Sequence, residues 1–364
     1  MRLKEKDTSC VLVDVREGDE VSAGCIEGAH WIPRGQLEVQ IGTLISDRDT
    51  PIAIYCATST RSVLATASLT TMGYTNVVSV RGGVEAWLQA GQSLAHSKRL
   101  NSEQRSRYSR QTALPQLGEA GQLKLLESRV LCVGAGGLGS PTALYLAAAG
   151  VGTLGIVDHD ITDISNLQRQ ILHNEHSVGT PKVDSAKKTL SRLNNDISIL
   201  TYNTRLDASD ATELFKGYDV IVDGSDNFPT RYLINDASFF LGIPNVHGSI
   251  YHFDGQCTVF NHENGPCYRC VFPEPPAEGL APNCADAGVL GAMCGVVGTL
   301  QAVEVIKILL KSGISLSGRL MSIDGMTMEM RTLKIQRNPQ CPLCSEHAQI
   351  TTLRAEPLHC SGTR

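Results

Sequence analysis

The stretch VLCVGAGGLGS, residues Val130–Ser140, decides the fold of the larger part of this 364-residue chain. An apolar strand runs into glycines 134, 136 and 139, which have the spacing G-x-G-x-x-G, and a helix is predicted from Ser140. Such glycines permit a tight turn and let a phosphate approach the N-terminus of the helix. Asp158 ends the next predicted strand, where a carboxylate can hold ribose hydroxyls. The stretch therefore predicts a nucleotide site, and both NAD(H) and ATP remain candidates.

Strand and helix patterns alternate on both sides of this loop, which is typical of an α/β protein. In the larger part, strands are predicted at 130–133, 153–158, 218–223 and 244–248, helices at 140–149 and 182–193, and further elements at 296–310, 320–323 and 332–335. In the smaller part, strands are predicted at 11–15, 52–56 and 77–80, and helices at 61–72 and 84–90. We predict a small α/β domain over 1–95, a linker over 96–106, and a doubly wound, mostly parallel Rossmann-like domain over 107–364.

The composition excludes some partners. The chain has 32 Lys and Arg against 37 Asp and Glu, a net charge of −5, and 5% aromatic residues, which argues against a globally basic nucleic-acid-binding protein.

The longest apolar stretch, 289–310, contains Gln301, Glu304 and Lys307 at a spacing that places them on one side of a helix. We therefore expect a buried helix and no membrane span. No signal-peptide pattern is visible at the N-terminus, so we expect a cytoplasmic protein.

Four of the twelve cysteines form two Cys-x-x-Cys pairs. Cys267 and Cys270 make the first pair, and Cys341 and Cys344 make the second. Four thiolates without histidine or carboxylate describe a closed, tetrahedral, structural zinc site. A redox dithiol would need only one pair.

A fifth cysteine, Cys56, lies between a predicted strand and a predicted helix in IAIYCATSTRS, residues Ile52–Ser62. Backbone N–H groups and a helix N-terminus at this place favour a thiolate, and Arg61 adds positive charge. From these residues alone, a buried cysteine at a strand end is an equally good interpretation.

The surrounding sequence resembles the rhodanese family of sulfurtransferases. LVDVREGDEVSAGCIEGAHWIP (12–33) is similar to the opening of that family, and GGVEAW (82–87) is similar to its closing segment. The resemblance implies that Cys56 carries a persulfide received from an upstream persulfide donor. Ser59 stands where the family usually has glycine.

Polar segments after Asp158 distinguish ATP from NAD(H). SNLQRQ (165–170), Lys182 and DGSDN (223–227) together supply two cations, Arg169 and Lys182, and a carboxylate, Asp226. A bound nicotinamide needs neither a cation pair nor a metal ion. Phosphate transfer needs both, because its catalysis consists mainly of positioning and charge neutralisation.

The motifs from residue 107 to 344 resemble the adenylyltransferases that activate ubiquitin-like sulfur carriers, such as the molybdopterin-synthase and thiamine-biosynthesis adenylyltransferases, which are relatives of ubiquitin-activating enzymes. RYSRQ, GAGGLGS, VDHD, SNLQRQ, GTPKV, DGSDN, CYRC, CADAGVLG and CPLC occur in the family's order. The resemblance implies ATP and Mg²⁺ contacts from Gly134, Gly136, Gly137, Gly139, Asp158, Ser165, Asn166, Leu167, Gln168, Arg169, Lys182, Asp226 and Asn227. It also implies that Arg110 enters the site of a partner subunit, and hence a homodimer.

Cys284 follows a Pro-rich stretch, 272–283. In family members that go beyond adenylation, the cysteine here forms a thioester or a disulfide with the carrier; in others the position is not needed, and both interpretations stay open.

The overall hypothesis is an enzyme that adenylylates the C-terminal glycine of a Gly-Gly sulfur carrier, after which Cys56 provides sulfur for a thiocarboxylate, as in molybdopterin cofactor biosynthesis. The alternatives are an NAD-dependent dehydrogenase and a non-catalytic docking scaffold for sulfur carriers.

Overall fold

A computed structural model describes residues 10–95, 99–275 and 288–353. The chain divides into two compact units, Met1–Arg99 and Leu100–Arg364, and each is described by itself. The division falls within the predicted linker, and the domain bounds given above remain a prediction.

The first unit is built on a parallel four-stranded sheet with the order β2-β1-β3-β4. Its strands are β1 Val11–Asp14, β2 His30–Trp31, β3 Ile52–Tyr55 and β4 Val77–Ser79, and its helices are α1 Gly18–Ser22, α2 Leu37–Leu44, α3 Thr60–Thr71 and α4 Gly83–Gln89. The sequence analysis missed β2, α1 and α2. β2 has two residues, and α2 buries only Leu37 and Ile41, so neither has a clear periodicity.

The second unit contains an eight-stranded sheet with the order β12-β11-β10-β9-β8-β5-β6-β7. Its strands are β5 Arg129–Val133, β6 Thr153–Val157, β7 Ser198–Tyr202, β8 Val220–Asp223, β9 Asn245–Tyr251, β10 Asp254–Phe260, β11 Arg319–Asp324 and β12 Glu329–Lys334. Its helices are α5 Ser102–Arg107, α6 Ser109–Thr112, α7 Gly118–Glu127, α8 Gly139–Ala149, α9 Lys182–Leu193, α10 Ala208–Phe215, α11 Phe228–Leu241, α12 Tyr268–Val271 and α13 Gly291–Leu310.

The predicted fold class is confirmed, with one extension. Strands β7, β6, β5, β8 and β9 pair in parallel, whereas β9 to β12 pair in antiparallel fashion. The chain runs outward from β5 to β7 and then returns to place β8 on the other side of β5. This reversal opens a crevice at the carboxyl ends of β5 and β8, which is where open α/β sheets bind ligands.

Helix α13 is long and apolar enough to cross a membrane by length and composition, yet it packs against α8, β9 and β10. Gln301 is fully buried, and its Nε2 donates to Asp223 O (2.8 Å) and Val246 O (3.1 Å). The Glu304 carboxylate accepts from Leu316 N at 2.7 Å. Gln301 thus binds strands β8 and β9, and Glu304 binds the loop before β11, because buried polar groups require partners.

Candidate functional site

A cavity lies at the carboxyl ends of β5, β6 and β8. Eight of the residues predicted to bind nucleotide line it: Gly134, Gly136, Gly137, Asp158, Arg169, Lys182, Asp226 and Asn227. Residues from separate loops of the sequence therefore meet around one space. Five predicted residues are not in its lining: Gly139, Ser165, Asn166, Leu167 and Gln168.

The glycine loop has the geometry that its spacing predicts. Gly134 has φ of +100°, and a Cβ on Gly139 would lie 1.9 Å from Gly134 O. Helix α8 begins at Gly139, so its N-terminus follows directly on the cavity-lining glycines. Such a helix end favours an anion, because its first N–H groups have no partner within the helix.

Asp158 fastens the glycine loop to the end of β6. Its Oδ2 accepts from Ala135 N at 2.8 Å, and its Oδ1 accepts from Asp160 N at 2.8 Å. A lone pair on each oxygen remains available for a ribose hydroxyl, since a carboxylate oxygen accepts about two hydrogen bonds.

Lys182 is the first residue of α9 and is buried, with 7% of its side chain exposed. Its Nζ donates to Asp160 Oδ2 at 2.7 Å. Burial would raise the pKa of Asp160, but the hydrogen bond and charge of Lys182 outweigh it, and the pKa lies below its usual value. The sequence analysis did not select Asp160, although it follows Asp158 by two residues in VDHD.

The segment SNLQRQ contributes Arg169 and Gln170 to the cavity lining, and its Ser165 and Asn166 build a turn. Asp163 Oδ1 accepts from Ser165 N (2.8 Å) and Ser165 Oγ (2.6 Å), while Asn166 Oδ1 accepts from Asp163 N (3.1 Å). Arg169 Nη1 donates to Ser165 O at 3.1 Å, so the turn holds the arginine at the cavity wall.

Asp226 is an exposed carboxylate between β8 and α11. Asn227 is the N-cap of α11: its Oδ1 accepts from Thr230 N at 3.0 Å, and its Nδ2 donates to Asp226 Oδ1 at 3.2 Å. A carboxylate in the lining of this cavity fits Mg²⁺, which keeps several water ligands and takes one or two carboxylates together with substrate phosphates.

Two buried histidines support this cavity and were missed by the sequence analysis. His173 Nε2 lies 2.9 Å from Ala135 O, and His173 Nδ1 lies 2.9 Å from Ser185 Oγ. The His173 ring therefore links the backbone of the glycine loop to α9, and burial lowers the pKa of this histidine. His247 Nδ1 lies 2.7 Å from Asp223 Oδ2. These histidines were missed because no local sequence pattern distinguishes a buried structural histidine from one at the surface.

The four predicted zinc ligands form one cluster. Cys267 Sγ lies 3.7 Å from Cys270 Sγ and 3.5 Å from Cys341 Sγ, and Cys270 Sγ lies 3.3 Å from Cys344 Sγ. Zn–S bonds of about 2.3 Å in a tetrahedron give S–S distances of about 3.8 Å, so these cysteines fit the metal. The buried pair Arg269–Asp236, with Nη2–Oδ2 at 2.7 Å, joins the first pair of cysteines to α11.

In the first unit, Cys56 lies at the start of a loop closed by α4. Its Sγ is 3.6 Å from Ser62 Oγ, and Val84 N donates to Cys56 O at 3.0 Å. Burial would raise the pKa of the thiol, but the Ser62 hydroxyl and three loop N–H groups outweigh it and lower the pKa. These N–H groups belong to Thr58, Arg61 and Ser62. The arrangement favours a thiolate, which is the nucleophilic form.

Ser59 is compatible with this loop. Its φ of 169° is extended backbone that any residue adopts, and its Oγ accepts from Gly82 N at 2.7 Å. The Arg61 guanidinium donates to both Glu20 oxygens, at 2.5 and 2.6 Å, and these bonds lower the pKa of Glu20 to about 2. The positive charge beside Cys56 is therefore largely neutralised.

A model of the ThiF family matches residues 108–343, and a model of the rhodanese-like domain matches residues 2–90. The chain belongs to the ThiF family. Both resemblances drawn from the sequence are thereby confirmed.

Several relatives of this ThiF-family protein have informative names. The SAMP-activating enzyme E1 of Haloferax volcanii is 51% identical over 247 residues, which are 68% of this chain and 91% of the relative. The sulfur carrier protein adenylyltransferase of Thermus thermophilus is 49% identical over 253 residues, 68% of this chain and 93% of the relative. The adenylyltransferase and sulfurtransferase MOCS3 of Culex quinquefasciatus is 48% identical over 264 residues, 72% of this chain. The match spans only 60% of that MOCS3 relative.

Solved structures agree in fold. E. coli MccB, with MccA-N7isoASN, has a TM-score of 0.58 at 22% identity, covering 68% of this chain and 76% of that one. PaaA has a TM-score of 0.57 at 22% identity, covering 70% of this chain and 81% of that one. At this identity, the likeness shows the shared fold alone.

Arg110 and Cys284 are the remaining predicted site residues of the ThiF-family protein. Arg110 is exposed on α6 and does not line the cavity of its own chain, so its entry into a partner's site remains a prediction. Cys284 lies outside the described residues.

Proposed function

We propose that this ThiF-family protein adenylylates the C-terminal glycine of a ubiquitin-like sulfur carrier and releases pyrophosphate. The observation that carries the proposal is the joint position of Arg169, Lys182 and Asp226 on one cavity that begins at the glycine loop. A triphosphate uses all of these groups. A nicotinamide uses none of them, which disfavours the dehydrogenase alternative.

Each residue has a definite task in this reaction. Asp158 holds the ribose hydroxyls, and the N-terminus of α8 with Arg169 and Lys182 binds the phosphates. Mg²⁺ held by Asp226 would neutralise phosphate charge when bound. The carrier carboxylate is already ionised at neutral pH, so its oxygen attacks the α-phosphorus without a general base while the bond to pyrophosphate breaks. Zinc on the four cysteines is structural, because four thiolates leave no open ligand position.

We further propose that Cys56 carries sulfur for the activated carrier. A donor persulfide transfers its outer sulfur to the Cys56 thiolate, and the donor leaves as a thiol. The Cys56 persulfide then attacks the carrier adenylate and displaces AMP. A free thiol then attacks the Cys56 sulfur, which forms a disulfide with Cys56 and releases the thiocarboxylate. Because Glu20 neutralises Arg61, the loop has little attraction for dianionic thiosulfate, which favours a persulfide donor.

We also propose a cytoplasmic homodimer in which Arg110 completes the site of its partner. No nucleic-acid or membrane partner belongs to this proposal.

The test is pyrophosphate–ATP isotope exchange with a panel of ubiquitin-like carriers that end in Gly-Gly. The wild-type protein should exchange only with such a carrier, and Lys182→Ala should lower the exchange rate strongly. Cys56→Ala should retain exchange and lose thiocarboxylate formation, as read by mass spectrometry. Hydride transfer with NADH and no isotope exchange would overturn the proposal.

A further inference from the structure

Arg231 borders the same cavity, yet the sequence analysis and the roles assigned above leave it without a function. It lies in α11, and the residue is 9% exposed. Its Nε has no hydrogen-bond partner among the described residues, and its Nη2 donates to Ser225 O over 3.4 Å. A buried charged donor without a partner is costly and calls for an explanation.

The neighbours of Arg231 engage only part of its guanidinium. The Tyr268 side chain interacts with it, and its Cζ lies 5.4 Å from the centroid of the Phe228 ring. Asp223 lies close enough to interact electrostatically with it. However, Asp223 Oδ2 contacts His247 Nδ1 at 2.7 Å, and Asp223 Oδ1 accepts from Ser225 N (3.0 Å) and Ser225 Oγ (2.6 Å). The guanidinium therefore keeps at least its Nε N–H group for an oxyanion at the cavity wall.

The sheet topology indicates which oxyanion of the reactants Arg231 would bind. The glycine loop follows β5, and the two cations assigned to the triphosphate, Arg169 and Lys182, follow β6. Arg231 follows β8, and Ile250 and Tyr251 of β9 line the cavity as well. Since the sheet order is β9-β8-β5-β6, Arg231 and the Mg²⁺ carboxylate Asp226 follow a strand on the opposite side of β5 from the strand that precedes both phosphate cations. The side chains of Ile250 and Tyr251 beside it suit a peptide tail better than a polyphosphate.

We propose that Arg231 binds the C-terminal carboxylate of the incoming carrier. This assignment rests on the proposed function and names the group that positions the nucleophile. One carboxylate oxygen forms the bond to the α-phosphorus, and the bond to pyrophosphate breaks with its electron pair leaving on pyrophosphate. The guanidinium offsets the repulsion between the carboxylate and the phosphates before that step.

The test is a double-mutant-type comparison of carrier affinities, which needs no catalytic turnover. Carriers ending in Gly-Gly are prepared with a free carboxylate or a C-terminal amide, and their affinity is measured in the presence of an α,β-methylene ATP analogue, which cannot release pyrophosphate. In the wild-type protein, amidation should weaken binding about ten- to a hundredfold. Arg231→Gln should weaken binding of the free-carboxylate carrier equally, and amidation should then have no further effect.

Controls separate this role from others. Arg192→Gln removes an exposed arginine that does not line the cavity and should change no affinity. Loss of nucleotide affinity in Arg231→Gln with unchanged carrier affinity would assign Arg231 to a phosphate and overturn the proposal. Independent effects of substitution and amidation, or no effect, would also overturn it. Arg231→Lys, which keeps the charge, repeats the comparison should the glutamine variant unfold. Failure of the proposed function appears separately, as absence of wild-type isotope exchange.

Discussion

Two alanine substitutions in one loop should separate the folding role of its glycines from their binding role. In Gly139→Ala, the new Cβ would lie 1.9 Å from Gly134 O, whereas ordinary contacts begin at 3.4 Å. The obstacle is the backbone of the loop directly after β5, so the loop itself must move by about 1.5 Å. Overpacking of side chains typically costs about 1–3 kcal/mol, and a backbone clash should reach at least the upper value.

For a unit of this size, 1 kcal/mol changes the midpoint of thermal unfolding by roughly 2–4 °C. Gly139→Ala should therefore lower the midpoint of the second unit by about 6–12 °C. Gly136→Ala is the matched control, because its Cβ meets only Gln170 Nε2 at 3.7 Å. It should leave the midpoint within about 1 °C and instead weaken ATP binding about tenfold, since Gly136 lines the cavity.

Calorimetry of the full chain and titration with ATP provide both measurements. A Gly139→Ala protein that unfolds at the wild-type temperature would refute the packing argument. Unchanged ATP affinity in Gly136→Ala would refute the placement of phosphate at this loop.

Three further predictions concern other parts of the molecule. Burial lowers the pKa of His173, so the neutral ring stabilises the fold; stability of the second unit should be complete above pH of about 6.5 and fall below it. His173→Gln should flatten this part of the unfolding profile, and an unaltered profile would speak against the assigned contact. The lowered pKa of Glu20, about 2, predicts that stability of the first unit is complete above the usual carboxyl pKa of 4.5 and is lost as the pH falls toward 2. Glu20→Gln should make that loss shallower and, by freeing Arg61, increase sulfur transfer from thiosulfate; equal rates in both proteins would contradict the charge argument. Metal analysis of protein purified without chelator should find about one zinc per chain, and chelation should lower the unfolding midpoint of the second unit but not of the first. Absence of zinc would remove the metal assignment.

Helices and strands with a strong apolar periodicity were predictable from the sequence. The elements that escaped prediction have a weak periodicity. Strand β5, the glycine loop and helix α9 combine apolar periodicity with turn residues, so their neighbours along the chain suffice to define them. Strand β10 begins with the polar residues Asp254, Gly255 and Gln256 and escaped prediction, because its pairing with β9 and β11 determines its conformation. Likewise, Ser165 and Asn166 belong to a binding motif by resemblance, yet their side-chain hydrogen bonds build a turn.

The sequence by itself determined the α/β class, the glycine loop and the two cysteine pairs, because each of these depends on residues a few positions apart. Only the tertiary structure decided which distant groups meet. It paired Lys182 with Asp160, brought the Sγ atoms of Cys267 and Cys341 within 3.5 Å, and left Arg231 buried at the cavity with an Nε that has no partner among the described residues. Such contacts arise when strands distant in sequence become neighbours in a sheet, and local sequence patterns carry no information about that order.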